Sequence, residues 1–220
     1  MNLNEFKEYF LKVLEENDIK IEDNDIELFY KHMIYILDWN KKINLTGIKD
    51  EKEFIVKHFV DSLTINKYIK AEDKIIDIGT GAGFPGIPLK IVNRENKITL
   101  IDSVNKKINV LRGIKEELKL NDLEIINIRA EELLKDKEYK EKYDISVTRA
   151  VSKLNKITEY MLPFLKKGGK AICMKGPNFK EEINESKDTI EKIGGKIERI
   201  DKIIVNNEFE RNIIIITKER

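Results

Sequence analysis

Apolar residues follow two different periodicities along this chain. In the first 70 residues they recur at a spacing typical of amphipathic helices, as in Phe6, Phe10, Phe29 and Met33. From residue 75 onwards, short runs rich in isoleucine and valine predict buried strands instead. The predicted strands cover residues 75–78, 97–102, 124–128, 143–148, 170–174, 197–205 and 211–217.

Predicted helices separate most of these strands, and this alternation is typical of an α/β protein with a parallel sheet. The last two strands are joined only by Asn206, Asn207 and Glu208, which predict a hairpin and hence one antiparallel strand. We therefore predict a doubly wound, seven-stranded, Rossmann-like sheet with an N-terminal helical extension. The predicted boundaries are residues 1–70 for the helical segment and residues 71–220 for the sheet domain.

Charge and composition narrow the possible classes of protein. Lys and Arg number 41 against 40 Asp and Glu, so the net charge of +1 provides no global field for steering nucleic acid. The single cysteine, Cys173, excludes an internal disulfide, and with only two histidines a structural metal site is not expected. Residues 1–8 lack the apolar core of a signal peptide, and the longest aliphatic run, residues 213–216, is too short to span a bilayer. We expect a cytoplasmic monomer without metal ions or membrane contacts.

Three alternate glycines directly follow the predicted strand at residues 75–78. Glycine reaches positive φ angles and, without a Cβ atom, lets a ligand lie against the main chain. In a doubly wound sheet this first strand-to-helix turn lies where ligands bind. Gly79 and Gly81 are therefore predicted to contact a ligand, although a glycine-rich turn that only makes a tight corner explains the same residues.

The position of Phe84 distinguishes between two classes of nucleotide-binding turn. The dinucleotide fingerprint counted from Gly79 requires a glycine where Phe84 stands, although the pattern does fit if it is started at Gly81. In the register set by the strand, Asp77-x-Gly79-x-Gly81-x-Gly83 resembles the first motif of S-adenosylmethionine-dependent methyltransferases. This resemblance implies S-adenosylmethionine as the cofactor, with Gly79, Gly81 and Phe84 in its site, and disfavours a dehydrogenase.

Asp102 stands at the end of the second predicted strand, 23 positions after Gly79. A carboxylate at this strand tip can accept hydrogen bonds from ribose hydroxyls, and the usual spacing is about 20 residues. We therefore predict that Asp102 binds the ribose of a nucleoside. Taken alone, Asp102 also fits the N-cap of the helix that follows it.

Further motifs are spread over nearly the whole chain. The most specific is the run Gly-Phe-Pro-Gly-Ile-Pro at residues 83–88. The others are Trp39-Asn40-x-x-Ile43-Asn44-Leu45-Thr46, His58-Phe59-x-Asp61-Ser62-Leu63, Leu100-Ile101-Asp102-Ser103, Arg129-Ala130-Glu131-Glu132, Thr148-Arg149-Ala150-Val151 and Lys175-Gly176. Together they resemble the bacterial small-subunit ribosomal RNA guanine-N7 methyltransferase family, also called glucose-inhibited division protein B.

This resemblance implies a substrate, 16S ribosomal RNA, either free or within the small ribosomal subunit. It also implies cofactor contacts at Ala130 and Glu131, and RNA-side roles for Asn44, His58 and Asp61. The residues alone leave structural alternatives open. Ala130 and Glu131 also fit the start of a helix, and His58 also fits a buried core group.

Two basic residues stand at the ends of the fourth and fifth predicted strands. Arg149 suits either the carboxylate of a cofactor or an RNA phosphate, because a guanidinium forms paired hydrogen bonds with both. A structural ion pair is the alternative for Arg149. Lys175 is predicted to contact an RNA phosphate, with simple solvent exposure as its alternative.

The tip of the fourth strand also bears on which base atom is methylated. Enzymes that methylate adenine amino groups usually place an Asn/Asp-Pro-Pro-aromatic turn there, whereas this chain has Thr148-Arg149-Ala150-Val151. Cys173 lies inside the fifth strand, so no cysteine is placed to attack a pyrimidine ring. Guanine N7 has a free lone pair and can react by orientation alone, which suits a site with no identified catalytic base. A small-molecule methyltransferase and a cofactor-binding module for ribosome assembly are the alternative functions.

Overall fold

The computed structural model describes residues 1–149 and 152–220. The N-terminal part of the protein is helical. Rings predicted to face the core are fully buried there, with ring centroids 5.2 Å apart for Phe6 and Phe10 and 4.9 Å apart for Phe29 and Phe59. The helical elements are α1 (Leu3–Glu16), α2 (Asp23–Asn40) and a composite third stretch of α3 (Glu51–Phe54), a π-helical turn (Ile55–Val60) and α4 (Asp61–Leu63).

Seven strands form one sheet: β1 (Lys74–Ile78), β2 (Lys97–Asp102), β3 (Leu123–Asn127), β4 (Tyr143–Arg149), β5 (Leu165–Lys175), β6 (Gly195–Val205) and β7 (Phe209–Lys218). Their order across the sheet is β3-β2-β1-β4-β5-β7-β6. The pairs among β1 to β5 are parallel, and β7 runs antiparallel to both β5 and β6. The predicted α/β class, seven-stranded sheet and antiparallel last strand are thereby confirmed.

Helices cover both faces of the sheet, because successive side chains of a strand point to opposite faces. Ile75 belongs to a buried cluster that includes Phe59 and Leu111, whereas Ile76 belongs to a second cluster with Leu154. The N-terminal helices thus pack on the same side of β1 as Leu111. The division at residue 70 stays a prediction. The remaining helices are α5 (Gly86–Val92), α6 (Asn105–Glu117), α7 (Ala130–Leu133), α8 (Leu154–Met161) and α9 (Lys180–Lys192).

The fifth strand is longer than the sequence pattern predicts. It begins at Leu165, five positions before Lys170, and includes Gly168 and Gly169. Tyr143 pairs with Leu165 and Ile145 pairs with Lys170, so the intervening residues of β5 bulge out of register. Gly168 in this bulge has φ +80°, a conformation that glycine adopts without strain.

No helix of residues 1–149 or 152–220 is both long enough and apolar enough to cross a membrane.

Asp77 connects the end of β1 to the glycine turn and to the start of α5. Its Oδ2 accepts hydrogen bonds from the Thr80 hydroxyl at 2.7 Å and from the Gly86 N–H at 2.9 Å. A Cβ atom on Gly86 would lie 2.2 Å from Leu100 Cδ2 and 2.7 Å from Asp77 Oδ2. Only glycine therefore allows this close approach between helix and sheet.

We expect Gly86→Ala to lower the free energy of unfolding by about 1–3 kcal/mol, the usual cost of forcing an extra methyl group into a packed core. Urea denaturation monitored by circular dichroism measures this change. Gly47→Ala is the matched control, because a Cβ atom there meets no atom within 4 Å. Equal urea midpoints for Gly86→Ala and the wild-type protein would contradict the prediction.

Candidate active site

Two adjoining cavities lie at the carboxyl ends of β1, β2 and β4. Their volumes are about 400 Å³ and about 270 Å³, and both are lined by Gly79, Asp102 and Ser103. The larger cavity reaches towards the N-terminal helical segment, since Thr46 and His58 line it. The smaller one extends towards the tip of β3 and towards α8. The sheet edge where the sequence predicts a ligand is therefore a cleft with two lobes.

The glycine turn borders both cavities through Gly79 and the larger one also through Gly81. Gly79 and Gly81 have φ angles of +70° and +62°, which fit glycine and strain other residues. A Cβ atom on Gly81 would meet nothing within 4 Å, so the space beside this residue is open. The turn is tied to β2, because the N–H groups of Gly79 and Thr80 donate to the Ile101 carbonyl at 2.9 and 3.1 Å.

Asp102 lies at the tip of β2 with its carboxylate against the turn. Its Oδ2 accepts from the Gly81 N–H at 2.9 Å, and its Oδ1 accepts from the Val104 N–H at 2.8 Å. The residue that caps helix α6 is Val104, so Asp102 precedes the cap position. Each carboxylate oxygen can accept a further hydrogen bond, and the residue lines both cavities.

Asp77 is fully buried below the turn, and its Oδ1 has no hydrogen-bond partner within residues 1–149 and 152–220. Burial raises the pKa of this carboxyl to about 6, although the hydrogen bonds from Thr80 and Gly86 lower it. Asp77 lines neither cavity, so this unpaired oxygen lies beneath the glycine turn and not on the surface of the cleft.

Arg149 is held by a buried cluster of charges on the helical side of the cleft. Its Nη1 donates to Asp61 Oδ2 at 3.0 Å and to the Lys57 carbonyl at 2.9 Å. Asp61 is 0% exposed and also accepts two hydrogen bonds of 2.8 Å from Arg211. Two guanidinium groups thus share one carboxylate, which leaves an excess of positive charge beside the larger cavity.

His58 lies between this cluster and the cavity in a single protonation state. Its Nδ1 is 2.8 Å from Arg149 Nη2, and because a guanidinium only donates, Nδ1 must accept. Burial, and then the Arg149 charge, lower the pKa of His58 to about 2, so the ring is neutral with its proton on Nε2. The ring stacks on Phe84 with centroids 4.3 Å apart and an angle of 6° between planes.

The loop after α2 reaches the cavity through Thr46. Its Oγ1 lies 2.8 Å from His58 Nε2. Asn40 shapes the loop, since its Oδ1 accepts from the N–H groups of Leu45 and Thr46 at 2.8 and 3.0 Å and its Nδ2 donates to the Thr46 carbonyl at 2.8 Å. Leu45 and Thr46 line the larger cavity.

The structure brings together most of the residues that the sequence predicts for this site. Asn44 is exposed, and neither it nor Asp61 lines either cavity. Asp61 instead positions Arg149 from behind. The roles of both in RNA contact stay predictions. The predicted residues that do line the cleft are Gly79, Gly81, Phe84, Asp102, Ala130, Glu131, Arg149 and His58.

Lys175 lies near this region, with its ammonium group already bonded. Its Nζ forms an ion pair with Glu182 Oε2 at 2.8 Å and donates to the Ser152 carbonyl. Glu182 also accepts from the Leu154 N–H at 2.9 Å, so these bonds link β5 to α8 and α9. The contact of Lys175 with an RNA phosphate stays a prediction. Ala150 and Val151 of the predicted motif after β4 lie outside the described residues.

Several lining residues have no counterpart among the sequence predictions. Ile128 follows the end of β3, and a position next to the carboxyl end of a parallel strand is a sequence signal for a ligand-site residue. Ile157 and Tyr160 reach the smaller cavity from α8, and their helical spacing indicates only a buried face. Within residues 1–149 and 152–220, no three His, Cys, Asp or Glu side chains are grouped to hold a metal ion.

Solved structures share the fold of this chain. A methyltransferase dependent on S-adenosylmethionine from Aquifex aeolicus aligns with a TM-score of 0.58 and 19% identity, over 82% of this chain and 98% of that one. M. jannaschii TYW2, crystallised in complex with AdoMet, aligns with a TM-score of 0.56 and 22% identity, over 73% of this chain and 76% of that one. These similarities show the fold.

Closer similarity comes from sequence. A protein of Clostridium botulinum (strain Loch Maree / Type A3) named ribosomal RNA small subunit methyltransferase G is 44% identical over 218 residues, which cover 95% of this chain and 90% of that protein. A protein of the same name from Acetivibrio thermocellus is 46% identical over 204 residues, covering 92% and 84%. The family model described as GidB, rRNA small subunit methyltransferase G, matches residues 25–214. With this match across most of its length, the chain belongs to the rRNA small subunit methyltransferase G family.

Proposed function

We propose that this enzyme transfers a methyl group from S-adenosylmethionine to N7 of a guanine in 16S ribosomal RNA. Membership of the family supports an rRNA methyltransferase. The observation that carries the choice of N7 is the protonation state of His58, whose Nδ1 accepts from Arg149 and whose Nε2 bears the proton. A group in this state cannot remove a proton from a substrate.

Guanine N7 requires no such base, because its lone pair is already free in the plane of the ring. When that lone pair forms the new N–C bond, the electrons of the broken C–S bond stay on sulfur and no proton moves. Orientation of the two reactants is then the main task of the site, and it can remove about 7–11 kcal/mol of a barrier. A rigid, neutral His58 with stacked Phe84 suits that task.

The residues of the cleft fit S-adenosylmethionine, which supplies a methyl group on a positively charged sulfur when bound. We assign the ribose hydroxyls to Asp102, whose oxygens each retain a free lone pair. Apolar walls at Ile101 and Ile128 in the smaller cavity suit the adenine ring, with Ala130 and Glu131 beside them.

The RNA side of the site is then the lobe next to the helical segment. We propose that Arg149, with Arg211 behind it, attracts a negatively charged group there, either the carboxylate of the cofactor or an RNA phosphate. Asn44 and Lys175 are proposed as RNA contacts outside the cavity. Because ribosomal RNA is transcribed and assembled in the cytoplasm, we expect the enzyme to act there, on free RNA or on the small subunit.

One labelling experiment tests this function against its alternatives. The protein is incubated with S-adenosylmethionine carrying a radiolabelled methyl group and, in parallel, with free 16S RNA, small ribosomal subunits and a small-molecule cell extract. We expect label in RNA, at a guanine whose strand breaks after borohydride reduction and aniline treatment. Label in metabolites alone would indicate a small-molecule methyltransferase, and binding without transfer would indicate a non-catalytic module.

We expect Asp102→Ala to weaken binding of S-adenosylmethionine by about 1–3 kcal/mol, because ribose hydroxyls and the Gly81 N–H lose their acceptor. Isothermal titration calorimetry measures the affinity. Asp38→Ala on the exposed side of α2 is the control and should bind the cofactor like the wild-type protein. Unchanged affinity of Asp102→Ala would remove this residue from the cofactor site.

A further inference from the structure

The Thr46 hydroxyl lines the larger cavity, and its oxygen accepts two hydrogen bonds from the protein. Its oxygen accepts from the Ile48 N–H at 3.1 Å. It also lies 2.8 Å from His58 Nε2, the ring nitrogen that carries the proton because Arg149 occupies Nδ1. The direction of this bond is therefore determined, and His58 donates to Thr46.

A hydroxyl oxygen has two acceptor lone pairs and one proton to donate. Both acceptor positions of Thr46 are used by Ile48 and His58. The hydroxyl proton finds no acceptor among the residues that the structure describes, and Thr46 lines the cavity. Thr46 can therefore offer a ligand only a donor, and the ligand atom that meets it must be an acceptor.

The two purines differ in this respect at the edge that carries N7. Guanine presents two acceptors there, N7 and O6, whereas adenine presents N7 beside the donor amino group N6. N7 must keep its lone pair free for the methyl group, so O6 is the acceptor that remains for Thr46. We propose that the Thr46 hydroxyl donates to O6 of the target guanine and thereby selects guanine over adenine, an inference that rests on the proposed function.

The hydrogen bond from His58 is what makes Thr46 a donor towards a ligand. If His58 carried its proton on Nδ1, the Thr46 hydroxyl would donate to Nε2 and would meet a ligand as an acceptor. Arg149 prevents this tautomer by donating to Nδ1, and Asp61 and the Lys57 carbonyl hold Arg149 in place. Adenine would then place its N6 donor against the Thr46 proton, and repulsion between like groups disfavours it.

Thr46→Val removes the hydroxyl and keeps the branched shape, and Thr46→Ser keeps the hydroxyl. The substrates are two RNA oligonucleotides with the guanine identified by aniline cleavage, one carrying guanine there and the other 2-aminopurine. 2-Aminopurine keeps N7 and the 2-amino group but lacks O6 and the N1 proton, so the comparison between protein variants isolates the part that is due to O6. For the wild-type protein we expect kcat/KM on 2-aminopurine to be about 5- to 150-fold below guanine, the effect of one lost hydrogen bond in a buried site. Thr46→Val should lose a similar factor on guanine and little more on 2-aminopurine, while Thr46→Ser should retain the preference for guanine.

A structural role for Thr46 would lower both rates by the same factor and leave the guanine to 2-aminopurine ratio unchanged, which would overturn the inference. Weaker binding of S-adenosylmethionine by Thr46→Val would also overturn it, because the hydroxyl would then face the cofactor. Equal kcat/KM values of the wild-type protein on the two oligonucleotides would also overturn the inference. In each of these cases RNA methylation persists. If the wild-type protein transfers no label to RNA, the proposed function fails and this inference fails with it.

Discussion

Asp61→Asn is expected to lower the free energy of unfolding by about 3–5 kcal/mol, the range found when one partner of a buried ion pair is removed. Asp61 is 0% exposed, and its carboxylate is the shared acceptor of Arg149 and Arg211, whose side chains are only 12% and 16% exposed. Asparagine keeps the shape and one oxygen but removes the negative charge. Two largely buried guanidinium groups are then left without the carboxylate that neutralises them.

Equilibrium urea denaturation of Asp61→Asn at neutral pH measures this loss. The matched control is Asp38→Asn, since Asp38 is 56% exposed and pairs with an exposed Lys41, an arrangement worth only about 0.2–1 kcal/mol. The double variant Asp61→Asn/Arg211→Met should regain part of the stability, because one uncompensated charge is removed with its partner. If Asp61→Asn costs no more than Asp38→Asn, the buried charge cluster does not stabilise the fold as we infer.

Acidification from pH 7 to pH 5 is expected to lower the free energy of unfolding by a net amount of about 2–3 kcal/mol. Two buried histidines destabilise the folded state on acidification, and one buried carboxyl group offsets part of this loss. Burial lowers the pKa of His32 to about 3 and that of His58 to about 2, from 6.5. Between these values the unfolded chain binds more protons than the folded one, so stability falls as the pH falls, by about 2 kcal/mol for each histidine at pH 5. Asp77 acts in the opposite sense, since its raised pKa of about 6 makes the folded state bind the proton first, a gain of about 1 kcal/mol.

Urea midpoints recorded across this pH range give the measurement, and His32→Phe is the informative variant. The His32 ring is fully buried, stacks on Phe84 at a centroid distance of 5.3 Å, and has no hydrogen-bond partner for either nitrogen within the described part of the chain. Phenylalanine keeps the stacking ring and removes the titration, so the acid loss should fall by about 2 kcal/mol. An acid loss as large in His32→Phe as in the wild-type protein would show that His32 is not held neutral.

Local sequence patterns are sufficient to predict the half of the cleft that we assign to the cofactor. β1, the glycine turn and β2 are consecutive, so the alternation of apolar residues and the spacing from Gly79 to Asp102 place that acid against the turn. In the structure the Gly81 N–H donates to Asp102 Oδ2 at 2.9 Å, which agrees with this placement. Parallel strands that follow one another in sequence and pair in the sheet bring their ends together, which is why the prediction succeeds.

The other half of the cleft depends on contacts that spacing does not encode. His58 and Asp61 are predicted only through resemblance to a family, because a histidine on an apolar helix face is more often a buried core group than a functional one. Arg211, which is 150 positions from Asp61, was expected only as the beginning of a strand. Its role follows from β7 lying beside β5, and no local pattern specifies the partner of a charged side chain so far along the chain.

The sequence by itself determined the α/β class, the order of the elements and the glycine turn with its acid, since these follow from periodicity and from short-range geometry. Only the tertiary structure decided that Arg149 bonds to His58 Nδ1, that His58 therefore donates to Thr46, and that Asp61 serves two arginines from inside the core. The physical reason is that burial and hydrogen-bond direction are properties of the packed molecule. They arise when segments about 90 to 150 residues apart meet and exclude water.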